Sequence, residues 1–127
     1  MKKQTAKWLE YADRDYELAR SLLRRKKRPV HSHICFLSQQ SAEKYLKAFL
    51  IEHDLPFEKT HNLARLIDLI LTIRPEWELY KLPAVILTRY AVEFRYPGDE
   101  EPNKKSATDA MTIASDIRTV VLTDLKY

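Results

Sequence analysis

The sequence predicts an all-α protein, an up-and-down bundle of four to five helices. Apolar residues recur at intervals of three and four along several long stretches, which is the spacing of one helix face. Gly98 is the only glycine among 127 residues, whereas the tight turns of hairpin-rich β folds depend on glycine at positive φ. The connections between the periodic stretches are short, as they are between antiparallel neighbours in a bundle.

Each periodic stretch is separated from the next by a proline or a charged loop. We predict helices over residues 4–25, 31–54, 61–73, from near Pro83 to Tyr96, and 104–125. Thr60 is the expected N-cap of the third helix, because its hydroxyl can accept from the first free backbone N–H groups. Charged residues from Asp99 to Lys105, interrupted by Pro102, predict an exposed loop before the last helix.

The apolar positions predict which face of each helix is buried. The second helix is the most apolar, so we expect it at the centre of the bundle or against a second subunit. The first helix is expected to bury Trp8, Tyr11, Ala12, Tyr16, Ala19, Leu22 and Leu23. In the fourth helix, the residues expected to face the core are Leu82, Val85, Ile86 and Tyr90. The last is expected to bury Ala107, Ala110, Met111, Ala114, Ile117, Val121 and Leu125.

Composition predicts one globular domain spanning residues 1–127. Apolar residues make up 45% of the chain and charged residues 31%, a balance typical of a folded domain. The net charge of +4 gives the protein a mild preference for anionic partners. The chain has no apolar run of membrane-spanning length, and Met1–Thr5 lacks the apolar segment of a secretory signal. We therefore expect a cytoplasmic protein without a membrane partner.

Several kinds of site are excluded by residue counts. Glycine-rich phosphate loops need more than the single Gly98. Cys35 is the only cysteine, which rules out an intrachain disulfide and a cysteine zinc site, and its apolar helical context predicts a buried thiol. His31 and His33 are two residues apart and do not share a helix face, so we expect no metal there. No cofactor is expected.

A cationic cluster marks the end of the fourth helix. In the segment Arg89–Tyr96, Arg89, Glu93 and Tyr96 share one helical stripe, and Pro97 and Gly98 then end the helix. Guanidinium groups in this position suit a phosphate, whose oxygens match their forked donors. The alternative is an exposed Arg89–Glu93 ion pair beside half-buried tyrosines.

Other polar features have a structural and a functional interpretation. Gln39, Glu43 and Lys47 form a strip on the otherwise apolar second helix, which either faces solvent or lines a site. The basic run at 24–28 is interpreted first as a solvated helix C-terminus, where cations oppose the helix dipole, and second as an RNA contact. A lone histidine such as His61 usually packs or caps, so its position alone does not predict catalysis.

Together, motifs spread over nearly the whole chain resemble the small prokaryotic HEPN domains (higher eukaryotes and prokaryotes nucleotide-binding). The opening helix has the form WLxYAxxD at 8–15, and the second helix contains FLSQQSAEKYLKA at 36–48. The third helix begins near KTHNL at 59–63, and RYAVEFRYP at 89–97 is similar to the family's signature region.

The resemblance implies an all-α bundle, commonly a homodimer in which the two signature regions face each other. It also implies a possible minimal nucleotidyltransferase partner, often in a toxin–antitoxin pair. Active members cleave RNA without a metal, using an Arg, a His a few residues later and a Tyr two residues further on. In this sequence Arg89 takes the place of the Arg and Tyr96 that of the Tyr, but Phe94 stands where the His belongs.

Phenylalanine cannot transfer a proton, so the motif lacks the group that would take one from a 2′-hydroxyl. We therefore expect a protein that binds the phosphate of a nucleotide or of RNA through Arg89, Arg95 and Lys47, with Glu43 orienting the arginines. One alternative is an active ribonuclease toxin, in which Arg89 and Tyr96 are catalytic and His61, Glu93 or Tyr96 replaces the lost histidine. The other is a non-catalytic helical interaction module.

Overall fold

The computed structural model describes residues 1–93 and 101–126. Its helices are α1 (Lys3–Leu23), α2 (His31–Glu52), α3 (Leu63–Ile70), a short 3-10 helix (Pro75–Tyr80), α4 (Lys81–Glu93) and α5 (Lys104–Leu125). The described residues contain no strand, so the prediction of an all-α helical bundle is confirmed. The predicted end of α4 at Tyr96 lies outside the described residues.

Helix α2 lies at the centre of the bundle and packs against α1, α3, α4 and α5. Side chains on most of its circumference are buried, including both apolar and polar residues. Its fully buried large side chains are Ile34, Tyr45, Leu46, Phe49 and Leu50. The prediction that α2 is central is therefore confirmed, and any polar group on it must find a partner inside the protein.

A hydrogen-bonded triad joins α2 to the two helices on either side of it. The hydroxyl of Tyr45, which is fully buried, donates to Asp13 of α1. Arg118 of α5 donates from Nε to the Tyr45 hydroxyl at 3.0 Å and to Asp13 Oδ1 at 3.4 Å. Burial, together with the hydrogen bond and charge of Asp13, raises the pKa of Tyr45 above its usual value. The phenol therefore stays protonated and serves as a donor between the helices.

Side-chain caps define the start of two helices. Asn62 Oδ1 accepts from the backbone N–H of Ala64 at 3.0 Å and of Arg65 at 3.4 Å, so α3 begins at Leu63. The prediction of Thr60 as the cap was wrong, because its hydroxyl accepts from Asn62 N–H at 3.1 Å in the turn before the helix. Helix α5 is capped in the same way as α3, by Asn103.

The buried face of α4 differs from the prediction. Leu82 is 69% exposed and Val85 is 38% exposed, whereas Ala84 and Leu87 are fully buried. Helical spacing allows either face, since apolar residues occur on both. The small side chain of Ala84 lets α4 approach its neighbours closely, and this choice leaves an apolar stripe on the outside.

The first and last helices follow their predicted faces more closely. In α5 the predicted residues Ala107, Ala110, Met111, Ala114, Ile117 and Val121 are buried, whereas Leu125, also predicted, is only partly buried near the end of the helix. In α1 Tyr11 is 44% exposed, contrary to the prediction, and the buried position is taken by Leu9. The tyrosine instead lies beneath the cations of Lys7 and Arg14, 5.4 and 4.9 Å from its ring centre.

Cys35 is buried, and burial raises its pKa to about 11, in agreement with the predicted structural thiol. Among residues 1–93 and 101–126, no helix combines the length and apolarity that a membrane crossing requires.

Near the end of α5, Asp124 forms a salt bridge with Arg74 in the segment after α3. Arg74 donates from Nε to Asp124 Oδ2 at 2.6 Å and from Nη2 to Oδ1 at 3.3 Å, and His53 Nε2 lies 3.4 Å from Oδ1. Burial raises the pKa of Asp124, but the hydrogen bond and charge of Arg74, helped by His53, outweigh burial and hold it below its usual value.

Because the pKa of Asp124 is lower in the folded state, its charge stabilises the protein above about pH 4 and less as the pH falls. We expect Asp124→Asn to lower the free energy of unfolding by about 1 to 2 kcal/mol near neutral pH. The difference from wild type should shrink at about pH 3, where the Asp124 carboxylate of the wild type begins to gain a proton and its charge is lost. Urea unfolding at the two pH values measures both quantities.

The matched control is Asp109→Asn, which removes an exposed ion pair with Lys105 in the same helix. It should cost less than about 0.5 kcal/mol at either pH. An equal loss for Asp124→Asn at both pH values would show that shape, and not charge, accounts for the contribution of Asp124.

Candidate functional site

Arg89 lies near the end of the described part of α4. Its Nη2 donates to Glu93 Oε1 at 3.2 Å and its Nε to the same oxygen at 3.3 Å. The Arg89 side chain is 68% exposed, so this is an exposed ion pair of the kind that adds little to stability. An anion from solution can reach the guanidinium. Phe94, Arg95 and Tyr96, the other residues of the predicted cluster, lie outside the described residues.

Beside Arg89 there is a pocket of about 400 Å³ between α2, the start of α3 and α4. Its lining residues are Phe36, Gln39, Gln40, His61, Asn62, Thr88, Ala91 and Val92. Arg89 follows Thr88 and is one helical turn from Val92, so it is next to two lining residues on α4. A pocket of this volume is within the range that holds small organic ligands.

The pocket walls combine apolar surface with polar groups. Phe36, a residue that is 38% exposed, contributes an aromatic ring, and Ala91 and Val92 add apolar surface from α4. Gln40 supplies an amide. Thr88 Oγ1 is buried, and no residue in the described part of the chain hydrogen-bonds to it. An aromatic face beside amide and hydroxyl groups is the chemistry that binds an unstacked nucleobase.

Behind the pocket, the polar strip of α2 is buried. Gln39, Glu43 and Lys47 are 3%, 4% and 5% exposed, so the solvent-facing interpretation was wrong. Lys47 Nζ donates to Glu43 Oε2 at 3.0 Å and lies 5.7 Å from the ring centre of Trp8. Lys47 is thus paired and buried, and a phosphate at the protein surface does not reach its ammonium group.

His61 is the residue through which the buried strip reaches solvent. Its Nδ1 lies 2.9 Å from Glu43 Oε1, and its side chain is 78% exposed. A carboxylate can only accept, so Nδ1 carries the hydrogen and Nε2 of the neutral ring is left as an acceptor. Gln39 Nε2 donates to the backbone carbonyl of His61 at 2.8 Å. The ring is therefore held from the interior while it lines the pocket.

The predicted site residues occupy two separate settings in the described structure. Glu43 and Lys47 are partners in the interior, and Arg89 pairs with Glu93 on the surface. Position alone gave His61 no role. A signal was nevertheless present in the sequence, because a glutamate within an apolar helix face requires partners when it is buried.

The site can bind an anion at Arg89, hold an aromatic ligand in the pocket and exchange a proton at His61. Across residues 1–93 and 101–126, no group of three or more histidine, cysteine, aspartate or glutamate side chains is arranged to hold a metal ion.

Comparison with known proteins agrees with this architecture. The family model described as "HEPN domain" matches residues 5–124. The crystal structure of an archaeal HEPN homologue is similar to this structure, with 25% sequence identity, 98% of each chain covered and a TM-score of 0.76. No curated protein shows significant similarity to the chain.

Proposed function

We propose, since this chain belongs to the HEPN family, that it binds the phosphate of a nucleotide or of RNA at the end of α4. The observation that carries the proposal is the exposed guanidinium of Arg89, which follows Thr88 of the pocket lining on α4. A phosphate at Arg89 leaves the attached base within reach of the pocket. The net charge of +4 favours such a ligand at longer range.

Each predicted site residue has a part in this proposal. Arg89 and Arg95 hold the phosphate, and Tyr96 completes the motif beside them. Glu43 and Lys47 act from the interior, because their contacts lead through His61 to the pocket wall and not to the protein surface. The roles of Arg95 and Tyr96 rest on the sequence motif.

We expect Arg89→Ala to weaken binding of a fluorescently labelled single-stranded RNA on the order of 10-fold, the usual effect of losing a charged hydrogen bond. The melting temperature should change little, since the Glu93 pair is exposed. Fluorescence anisotropy and thermal unfolding measure the two effects.

Arg14→Ala is the matched control, because Arg14 forms an equally exposed pair with Glu10 one turn away on α1. It should leave the affinity within about twofold of wild type, as expected for a surface charge outside the site. If Arg89→Ala binds as tightly as Arg14→Ala, the non-catalytic interaction module becomes the better interpretation.

The outer face of α4 supports a homodimer. Leu82, Val85 and Val92 are 69%, 38% and 58% exposed, and Arg89 lies on the same stripe between the two valines. An exposed apolar row of this kind marks an interaction surface. A second copy fits it because Arg89 and Glu93 carry opposite charges one turn apart, so two antiparallel α4 helices can exchange ion pairs. Such a dimer places the two phosphate sites face to face.

We expect Val85→Glu to convert the protein from a dimer to a monomer, because it puts a charge at the centre of the apolar stripe. Light scattering after size-exclusion chromatography measures the mass. Leu18→Glu is the matched control, an equally large change at a 50% exposed leucine of α1, and should remain dimeric. A monomeric wild type, or a dimeric Val85→Glu, would contradict the proposed interface.

The sequence motifs also support a minimal nucleotidyltransferase as partner, with this chain as the toxin-side member of a toxin–antitoxin pair. Tyr96 is then the candidate target for modification. Co-purification of the two chains from one expression host tests the pairing, and separate elution would count against it.

A further inference from the structure

We propose that the pocket between α2 and α4 selects adenine, with Gln40 as the residue that recognises the exocyclic amino group of the base. The inference rests on the proposed function, because the phosphate attached to this base is the one held at Arg89. A phosphate contact does not distinguish one base from another. The selectivity must therefore come from groups that line the pocket.

A chain of hydrogen bonds fixes the orientation of the Gln40 amide. The backbone carbonyl of His61 can only accept, so the atom of Gln39 that lies 2.8 Å from it is the donor Nε2. The same nitrogen lies 3.5 Å from Glu43 Oε1, which is also an acceptor. Gln39 Oε1 therefore points the other way and accepts from Gln40 Nε2 at 3.0 Å. The nitrogen and oxygen of both amides are thus assigned by their partners.

This chain of bonds leaves the Gln40 oxygen for the pocket. The nitrogen of Gln40 faces Gln39, which is 3% exposed and belongs to the interior. The oxygen lies on the other arm of the amide, and Gln40 is a half-buried residue of the pocket lining. Within residues 1–93 and 101–126, no group donates a hydrogen bond to Gln40 Oε1. The pocket wall therefore offers an acceptor that a ligand can use.

His61 supplies a second acceptor to the same pocket. Its Nδ1 donates to Glu43, so Nε2 of the neutral ring accepts. His61 and Gln40 both line the pocket and are connected through Gln39. An amino group has a hydrogen for each of these acceptors, whereas a carbonyl oxygen has none. Adenine carries an amino group where hypoxanthine and guanine carry a carbonyl oxygen, so the two acceptors favour adenine among the purines.

The wall on α4 supplies a hydroxyl and apolar surface. Thr88 Oγ1 is buried without a hydrogen-bond partner in the described part of the chain, which lowers stability until a partner is present. Threonine adopts two rotamers in helices, and a change of rotamer lets this hydroxyl donate to a ring nitrogen of the base. Ala91 and Val92 cover the base with apolar surface. Cytosine has the same amino group on a single ring, which buries less of that surface, so adenine is the better ligand.

The test compares AMP with IMP, in which a carbonyl oxygen replaces the amino group, by isothermal titration calorimetry of the full chain. We expect the wild type to bind AMP about 10-fold more tightly, the effect of a hydrogen bond whose loss leaves a polar group unpaired. Gln40→Met keeps the length of the side chain but removes the acceptor. It should bring the two affinities to within about twofold of each other.

Oligoadenylate and oligoinosinate strands of equal length identify the source of the base. A preference for adenine among the monophosphates assigns the pocket to a free nucleotide. A preference that is present only in the strands assigns it to single-stranded RNA, and either result supports the selection of adenine.

Gln4→Met is the matched control, the same change at an exposed glutamine of α1 outside this pocket, and should keep the wild-type preference. Arg89→Ala should weaken the binding of AMP and IMP by the same factor, because both carry the phosphate. Thr88→Val should weaken AMP binding about 5-fold and raise the melting temperature slightly, since it removes a buried hydroxyl that has no partner among the described residues.

Equal binding of AMP and IMP, and of the two strands, by the wild type would overturn the selection of adenine and leave the proposed phosphate binding intact. A preference that survives in Gln40→Met would overturn the role of Gln40. If circular dichroism shows that Gln40→Met is poorly folded, an unchanged AMP affinity of Thr88→Val would overturn the assignment of the pocket instead. A wild type that binds no nucleotide and no strand would overturn both proposals.

Discussion

Helix α2 is enclosed by the other helices, and its polar side chains must therefore be satisfied without water. This requirement accounts for the main polar contacts of the bundle. Tyr45 forms hydrogen bonds with Asp13 of α1 and Arg118 of α5, and these bonds link both helices to α2. The two carboxylate oxygens of Glu43 contact Lys47 on its own helix and His61 just before α3. An unpaired buried carboxylate would lower the stability of the fold by several kcal/mol, so these contacts are needed for the bundle to form.

The same requirement connects the core to the proposed site. Because Glu43 is buried and paired with Lys47, its contact with Nδ1 orients the exposed ring of His61 from the interior. The ring lines the pocket from one side, and α4 lines it from the other. A buried carboxylate thereby contacts one of the residues that line the proposed binding pocket.

Helix α4 has one face packed in the bundle and one face exposed. Ala84 and Leu87 bind it to the bundle, while Leu82 and Val85 remain outside with Arg89. An apolar stripe next to a cation suits an interface that also carries a ligand site. The proposed homodimer and the proposed phosphate site therefore share this part of the molecule.

The sequence by itself determined the all-α class, the central place of α2, the buried face of α5 and the family, because these depend on periodicity and on motifs spread along the chain. It did not determine which face of α4 is buried, since apolar residues occur on both sides and only packing chooses between them. Nor did it bring Glu43 to His61. Their contact crosses the loop between two helices, and such a contact exists only when α3 has docked on α2 and the buried carboxylate takes the nearest donor.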